Sequence, residues 1–279
     1  MSPPTGAVFG NGHLLVVGGG VMGGAICEAL LGRGVADPMG VVVAEPEAEK
    51  QAALRARLGV RTVARAAEAV EGAALVLLAI KPQVFPHVAE ELQGRIPRGV
   101  PVLSIMAGLT LERVAADLDH PEVVRAMPNA AARVFGSVTV WCATPAVTPA
   151  QRDLVRTVLG AIGHAVEVDE ESVLDLATAV SGSGPAYLCL VAEAMIEAAV
   201  GIGLTRALAQ HLVFQTFAGT AALLTAPGAH PALVRESVTS PGGTTAAGLQ
   251  ALERGAVRAA FAEAVRAALQ RARELGSNR

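Results

Sequence analysis

His13-Leu14-Leu15-Val16-Val17-Gly18-Gly19-Gly20-Val21-Met22-Gly23-Gly24-Ala25-Ile26 passes from continuous apolar residues through a glycine cluster into a helix-forming stretch. An apolar run bounded by glycines predicts a buried strand over 14–17. Helix formers over 25–32 and a second apolar run over 41–44 complete a strand, turn, helix, strand unit. Inside it, Gly18-Gly19-Gly20-Val21-Met22-Gly23 fits G-x-G-x-x-G in the setting that gives the pattern mechanical meaning. Glycines at 18 and 20 let the backbone turn tightly and approach a pyrophosphate, and Gly23 permits close helix-to-strand packing. The helix N-terminus adds unpaired N–H donors at a positive dipole end. Glycine clusters also make ordinary tight turns, but the place of this one favours dinucleotide binding through Gly18, Gly20, Val21, Met22 and Gly23.

The alternation continues outward. A helical stretch over 46–58 is followed by apolar runs over 75–80, 102–105, 123–127, 138–142 and 165–168. Continuous rather than alternating apolarity predicts a parallel sheet covered on both faces. After Asp169 such runs vanish and Ala, Leu and Glu-rich stretches take over. The expected architecture is an α/β N-terminal domain of Rossmann type over 1–168 and an all-α C-terminal domain over 169–279. In the second, Pro185 suits the first turn of a helix stopped by Gly201 and Gly203, and Thr205 caps another reaching 224. Ala226-Pro227-Gly228 makes a turn, and a shorter helix follows His230. The last helix, over 256–275, carries Val257, Ala260, Phe261, Ala264, Val265, Ala268 and Leu269 at spacings of three and four, a stripe that needs a partner helix. Dimerisation would provide one; so would an intramolecular bundle.

At 279 residues and 52% hydrophobic, the chain can bury a substantial core. A formal net charge of −3 provides no broad cationic surface, so nucleic acid and anionic membrane are not expected partners. The three cysteines, Cys27, Cys142 and Cys189, are odd in number, far apart and set in apolar runs, which fits buried hydrophobes better than disulfides or a metal set. No metal is expected. Residues 1–12 lack a basic stretch followed by an apolar core, so no secretory leader is expected. The long apolar region over 177–204 is punctuated by Gly182, Pro185, Glu193 and Glu197, which argues against a membrane span. A cytoplasmic location follows.

Several polar groups stand at strand ends, where ligands of open α/β sheets bind. Glu45 ends the second strand, where a carboxylate accepts from the adenosine ribose hydroxyls and repels a 2′-phosphate, favouring NAD over NADP; its alternative is to face solvent. Ala79-Ile80-Lys81-Pro82-Gln83 puts Ile80, Lys81 and Pro82 beside the cofactor, with Lys81 read as structural rather than acid/base. Asn129 closes the next candidate strand end, facing the nicotinamide or the substrate. Ser181-Gly182-Ser183-Gly184-Pro185-Ala186-Tyr187 and Val238-Thr239-Ser240-Pro241-Gly242-Gly243-Thr244-Thr245 each place hydroxyls and glycines before a helix, as in anion-binding nests suited to a small carboxylate. Helix capping by Ser183 and Thr244 is the plainer explanation of either one.

Together these segments resemble the pyrroline-5-carboxylate reductase family over almost the whole length. The resemblance rests on the glycine fingerprint with Met22, Ile80-Lys81-Pro82-Gln83, Met127-Pro128-Asn129, Gly182-Ser183-Gly184-Pro185-Ala186-Tyr187 and above all Thr239-Ser240-Pro241-Gly242-Gly243-Thr244-Thr245. It implies hydride transfer from NADPH or NADH to the C=N carbon of 1-pyrroline-5-carboxylate. It also implies a substrate grip through Ser240, Gly242, Gly243, Thr244 and Thr245, with the Thr245 hydroxyl on the ring nitrogen as the catalytic contact. Sites in this family are built between the dinucleotide domain of one subunit and helices of a dimer. Two positions depart from its usual pattern: Val21 stands in place of asparagine, and Ala130-Ala131 in place of Thr-Pro. A β-hydroxyacid dehydrogenase would need a lysine and an asparagine on the helix over 185–200, which has neither. A reductase of another cyclic imine and a non-catalytic dinucleotide sensor remain as alternatives. The sensor would bind cofactor and turn over nothing.

Overall fold

The computed structural model describes residues 8–277; residues 1–7, part of the stretch read as lacking a leader, lie outside them. Eight strands form one sheet: β1 (His13–Val17), β2 (Val41–Ala44), β3 (Arg61–Val63), β4 (Ala73–Leu78), β5 (Val102–Ser104), β6 (Val123–Met127), β7 (Ser137–Ala143) and β8 (Gly163–Glu167), in the spatial order β3-β2-β1-β4-β5-β6-β7-β8. Five helices, α1 (Val21–Gly32), α2 (Ala48–Leu58), α3 (Phe85–Leu92), α4 (Leu111–Leu118) and α5 (Pro149–Ala161), join or flank the strands. Alternate residues of β1 enter two cores. Leu14 and Val16 pack with Ile26 and Leu30 of α1 and Val155 and Leu159 of α5. Leu15 and Val17 pack with Phe85, Val88 and Leu92 of α3 and Val114 of α4. This burial on both faces explains the unbroken apolar runs, and each fully buried leucine contributes about 2 kcal/mol.

The sheet departs from the expected parallel one at β7, which pairs antiparallel with β6 through Val124↔Ala143 and Met127↔Val140. A parallel return needs a crossover of roughly a dozen or more residues. Only residues 128–136 separate the two strands, and 130–134 of them form a tight 3-10 turn, so the chain doubles back. β8 then follows β7 in parallel across α5. β3 was not anticipated: with Arg61 and Thr62 it is an edge strand without an apolar run.

Beyond β8, the helices are α6 (Ser172–Ala177), α7 (Gly184–Gly201), α8 (Arg206–Thr225), α9 (Pro231–Ser237), α10 (Thr244–Arg254) and α11 (Val257–Ser277). Thr205 caps α8 by accepting from the Leu208 N–H, and the His230 side chain accepts from the Ala232 N–H at the start of α9. By compactness, residues up to Ser183 form one unit with those from Ala268 onward, and Gly184–Ala267 forms the other. The second unit has a small core of Ile196, Ala209 and Val213, and much of its apolar surface is uncovered in the single chain, including Leu190 (66% exposed), Ile202 (85%) and Phe214 (55%). Among the described residues of α11 none is buried, and Phe261 of its stripe is 41% exposed.

Candidate active site

The glycine segment makes the turn between β1 and α1, and at Gly18 and Gly23 nothing larger fits. Gly18 has φ +104°, and a Cβ there would lie 2.7 Å from the Ala79 carbonyl oxygen at the end of β4. A Cβ at Gly23 would lie 2.1 Å from the Gly18 carbonyl oxygen, the close helix-to-strand contact. Gly20 instead faces open space, with nothing within 4 Å of a Cβ built on it. It is also the N-cap of α1, with no side chain capping the helix and no acid in its first turn. The first-turn N–H groups are therefore available to an anion, at the crevice where strand order reverses between β1 and β4. These features fit a dinucleotide.

Glu45 does not face solvent. It is 5% exposed; its Oε2 accepts from the Gly19 N–H at 3.0 Å and its Oε1 from the Glu47 N–H at 3.2 Å. Each oxygen keeps a further acceptor direction, so the carboxylate braces the glycine turn and still has capacity for a ribose hydroxyl. A cleft of about 460 Å³ along the carboxyl edge of the sheet is lined by Gly18, Gly20, Glu45, Lys50, Ile80 and Lys81 among others. Lys81 is exposed, and Pro82 opens the short 3-10 turn Pro82–Val84 behind it.

A second cleft, of about 420 Å³, lies beside Val21, Met22, Met127, Pro128, Asn129 and Thr178. Asn129 is committed to holding its wall. Its Oδ1 accepts from the Ala131 N–H at 3.1 Å, its Nδ2 donates to the Ser181 carbonyl at 3.0 Å, and its own N–H donates to Ser137 Oγ at 3.1 Å. Ser181 itself is not in a loop before a helix, as the sequence suggested. Thr178–Gly182 forms a π-helical segment continuing α6, and the Ser183 N–H donates to the Thr178 carbonyl at 2.9 Å. Amides paired within a helix cannot make a nest, so this segment supplies a wall.

The anchor that sequence reasoning missed is Arg125 on β6. It is buried, with Nη1 donating to Glu171 at 2.8 Å and Nη2 to Asp175 at 2.9 Å, which ties α6 to the sheet next to Asn129. Glu171 Oε1 also accepts from the Leu111 N–H at 2.9 Å. A charged residue inside an apolar strand is the available signal, but its partners lie 46 and 50 residues away. Arg125→Met should lower stability by about 3 kcal/mol by leaving two carboxylates without their counter-ion. A urea midpoint equal to that of the wild type would contradict this.

The other predicted loop retains its open helix terminus. Gly242 has φ +68°, the Gly243 N–H donates to the Ser240 carbonyl at 3.0 Å, and a Cβ on Gly243 would lie 2.3 Å from Ser240 Oγ. The N-cap of α10 is Gly243, not Thr244, and no side chain caps it. Thr244 and Thr245 occupy the first turn, so the capping explanation of Thr244 does not hold. Cys27 and Cys142 are buried as expected, with burial raising their thiols to about 12 and about 11, whereas Cys189 on α7 is exposed. Gly182, Pro185, Glu193 and Glu197 do not break the apolar region either. Ser172–Gly201 and Arg206–Thr225 are long and apolar enough to cross a membrane by length and composition.

The doubly wound sheet and the glycine cradle at its switch point define a dinucleotide-binding domain of Rossmann type. Residues 13–108 match the family model described as NADP oxidoreductase, coenzyme F420-dependent, and residues 171–275 match that of pyrroline-5-carboxylate reductase dimerisation. The pyrroline-5-carboxylate reductase of Synechocystis sp. is 41% identical over 264 residues, covering 95% of this chain and 98% of the relative. A Coxiella burnetii pyrroline-5-carboxylate reductase superposes with a TM-score of 0.89 at 33% identity, covering 96% of this chain and 99% of that one. A Plasmodium falciparum pyrroline carboxylate reductase, solved with NADP bound, superposes at 0.86 with 26% identity over the same shares. The chain belongs to the pyrroline-5-carboxylate reductase family. Its helical region is the dimerisation domain of that family.

Proposed function

We propose that the chain reduces the C=N bond of 1-pyrroline-5-carboxylate to give L-proline, the last step of proline biosynthesis, as a cytoplasmic homodimer or higher homo-oligomer. The observation that carries this reading is the uncapped α10 N-terminus behind Ser240, Gly242 and Gly243, in a chain that also holds a dinucleotide cradle. The reduced nicotinamide supplies a hydride when bound. The chain's own groups do the rest: first-turn amides of α1 receive the diphosphate, and Ile80, Lys81, Pro82 and Asn129 shape the edge along which the dinucleotide lies. The Ser240 hydroxyl and the amides at the start of α10 hold the substrate carboxylate, and the Thr245 hydroxyl donates to the ring nitrogen. A neutral imine nitrogen that accepts from this hydroxyl and gains a proton as the hydride reaches carbon makes the C=N bond readily reducible, so positioning and electrostatics supply most of the acceleration. The uncovered helices are read as subunit interface rather than membrane surface, and the substrate is a small molecule with no nucleic-acid partner.

Glu45 orients the cofactor preference toward NADH. Its carboxylate is fixed at the end of β2, and two cations lining that cleft are already paired, Lys50 with Glu47 at 2.6 Å and Arg65 with Glu91 at 3.7 Å. A 2′-phosphate would therefore meet fixed negative charge. The test follows oxidation of NADH and NADPH at the nicotinamide absorbance, with pyrroline-5-carboxylate and with 1-pyrroline, which lacks the carboxylate. Oxidation dependent on the carboxylated substrate, with the higher kcat/KM for NADH, is expected. Equal turnover of 1-pyrroline would indicate another imine substrate, and cofactor binding without turnover would indicate a sensor. A higher kcat/KM for NADPH would refute the role given to Glu45.

A further inference from the structure

We infer that Arg133 is a cofactor-positioning residue, gripping the nicotinamide-side phosphate of the dinucleotide from the rim opposite the glycine turn. This rests on the dinucleotide reading above. Arg133 belongs to the 3-10 turn Ala130–Val134, which is anchored at both ends: Asn129 Oδ1 accepts from the Ala131 N–H at 3.1 Å, and the Gly136 N–H donates to the Ala131 carbonyl at 3.0 Å. Just beyond the turn, the Arg33 guanidinium at the end of α1 stacks over the Phe135 ring at 5.3 Å. The arginine is thus presented from a held segment of backbone.

Its position relative to α1 makes the assignment. Arg133 lines the cleft of Met22, Met127 and Asn129, and also a recess of about 180 Å³ bounded by Gly20, Val21, Ala25, Glu28 and Arg57. The two spaces share Val21, the first residue of α1, whose apolar side chain is 76% exposed. Val21 offers a phosphate only its backbone, and α1 brings no capping side chain. Among the described residues neither Arg133 nor Glu28 forms an ion pair. The recess therefore holds two guanidiniums against one carboxylate, an excess of positive charge beside amides that already favour an anion. Arg57 lies farther along the helix, where a Cβ on Gly24 would be 3.2 Å from its Nη2. Arg133 is the cation that also borders the Met127–Asn129 side, so it falls to the phosphate nearer the nicotinamide. A guanidinium there adds charge-assisted, forked hydrogen bonds that backbone amides alone do not provide.

Calorimetric titration of wild type, Arg133→Ala and Arg133→Lys with NADH, ADP and AMP tests this without reference to turnover. ADP carries a phosphate at the nicotinamide-side position and AMP does not. Arg133→Ala should weaken NADH and ADP about tenfold, with Arg133→Lys in between, while AMP stays within about twofold of wild type. Unchanged NADH and ADP binding would overturn the assignment, and so would an equal loss for AMP, which would mean a general field or a folding effect. A wild type that bound none of the three would instead remove the dinucleotide reading, and this inference with it.

Discussion

Thr245→Ala is expected to lower kcat/KM for pyrroline-5-carboxylate by about a hundredfold, the effect of deleting one positioned donor to a developing or transferred charge. Thr245 stands in the first turn of α10, half-buried, behind a loop whose backbone is shaped by the positive φ of Gly242 and the close approach of Gly243 to Ser240. In the proposed reading, the first-turn amides of α10, which no side chain caps, receive the carboxylate and the Thr245 hydroxyl meets the neighbouring ring nitrogen. Two companion measurements separate this role from simple packing. Thr245→Ser keeps the hydroxyl and should retain most of the activity, and NADH affinity in Thr245→Ala should equal that of wild type. A serine variant as impaired as the alanine one would show that shape, not the hydroxyl, matters.

The second large effect is expected at the subunit interface. Phe261→Glu places a carboxylate in the apolar stripe of α11, and a two-fold interface meets the change twice. Burying two uncompensated charges costs several kcal/mol, which raises the dimer dissociation constant by a factor of a hundred or more, roughly tenfold per 1.4 kcal/mol. Sedimentation at micromolar protein should show monomer, and activity should fall in step with the dimer fraction. The family's dimerisation domain covers 171–275, and the single chain leaves Phe261 41% exposed beside other uncovered apolar residues. A variant that sediments as a monomer yet keeps wild-type kcat/KM would refute the dependence of activity on assembly.

Much of the secondary structure of both units was legible because its signals are local. The runs 41–44 and 123–127 coincide with β2 and β6, the glycine spacing marked the turn before α1, and Thr205 and His230 announced the helices they cap. Each depends on residues within a few positions: apolar continuity, a missing Cβ, a side-chain oxygen or nitrogen meeting an amide two or three residues on. The same locality misled at 181–184, where Ser and Gly composition resembles a loop while the backbone continues as π-helix. It also misled at Thr244, whose neighbour Gly243 took the capping position.

By itself the sequence determined the alternation of strands and helices, the glycine turn, the helical second half and the family, since all of these are written in short-range pattern and motif order. Tertiary structure alone decided which partners the polar groups found. Glu45 turned inward to brace Gly19, Asn129 was engaged by Ser181 and Ala131, and Arg125 met Glu171 and Asp175. It also turned β7 antiparallel, because the link from β6 is too short for a crossover. A buried charge or hydrogen-bonding group must be paired, but the condition names no partner in sequence. Only the folded chain brings residues dozens of positions apart to within 3 Å.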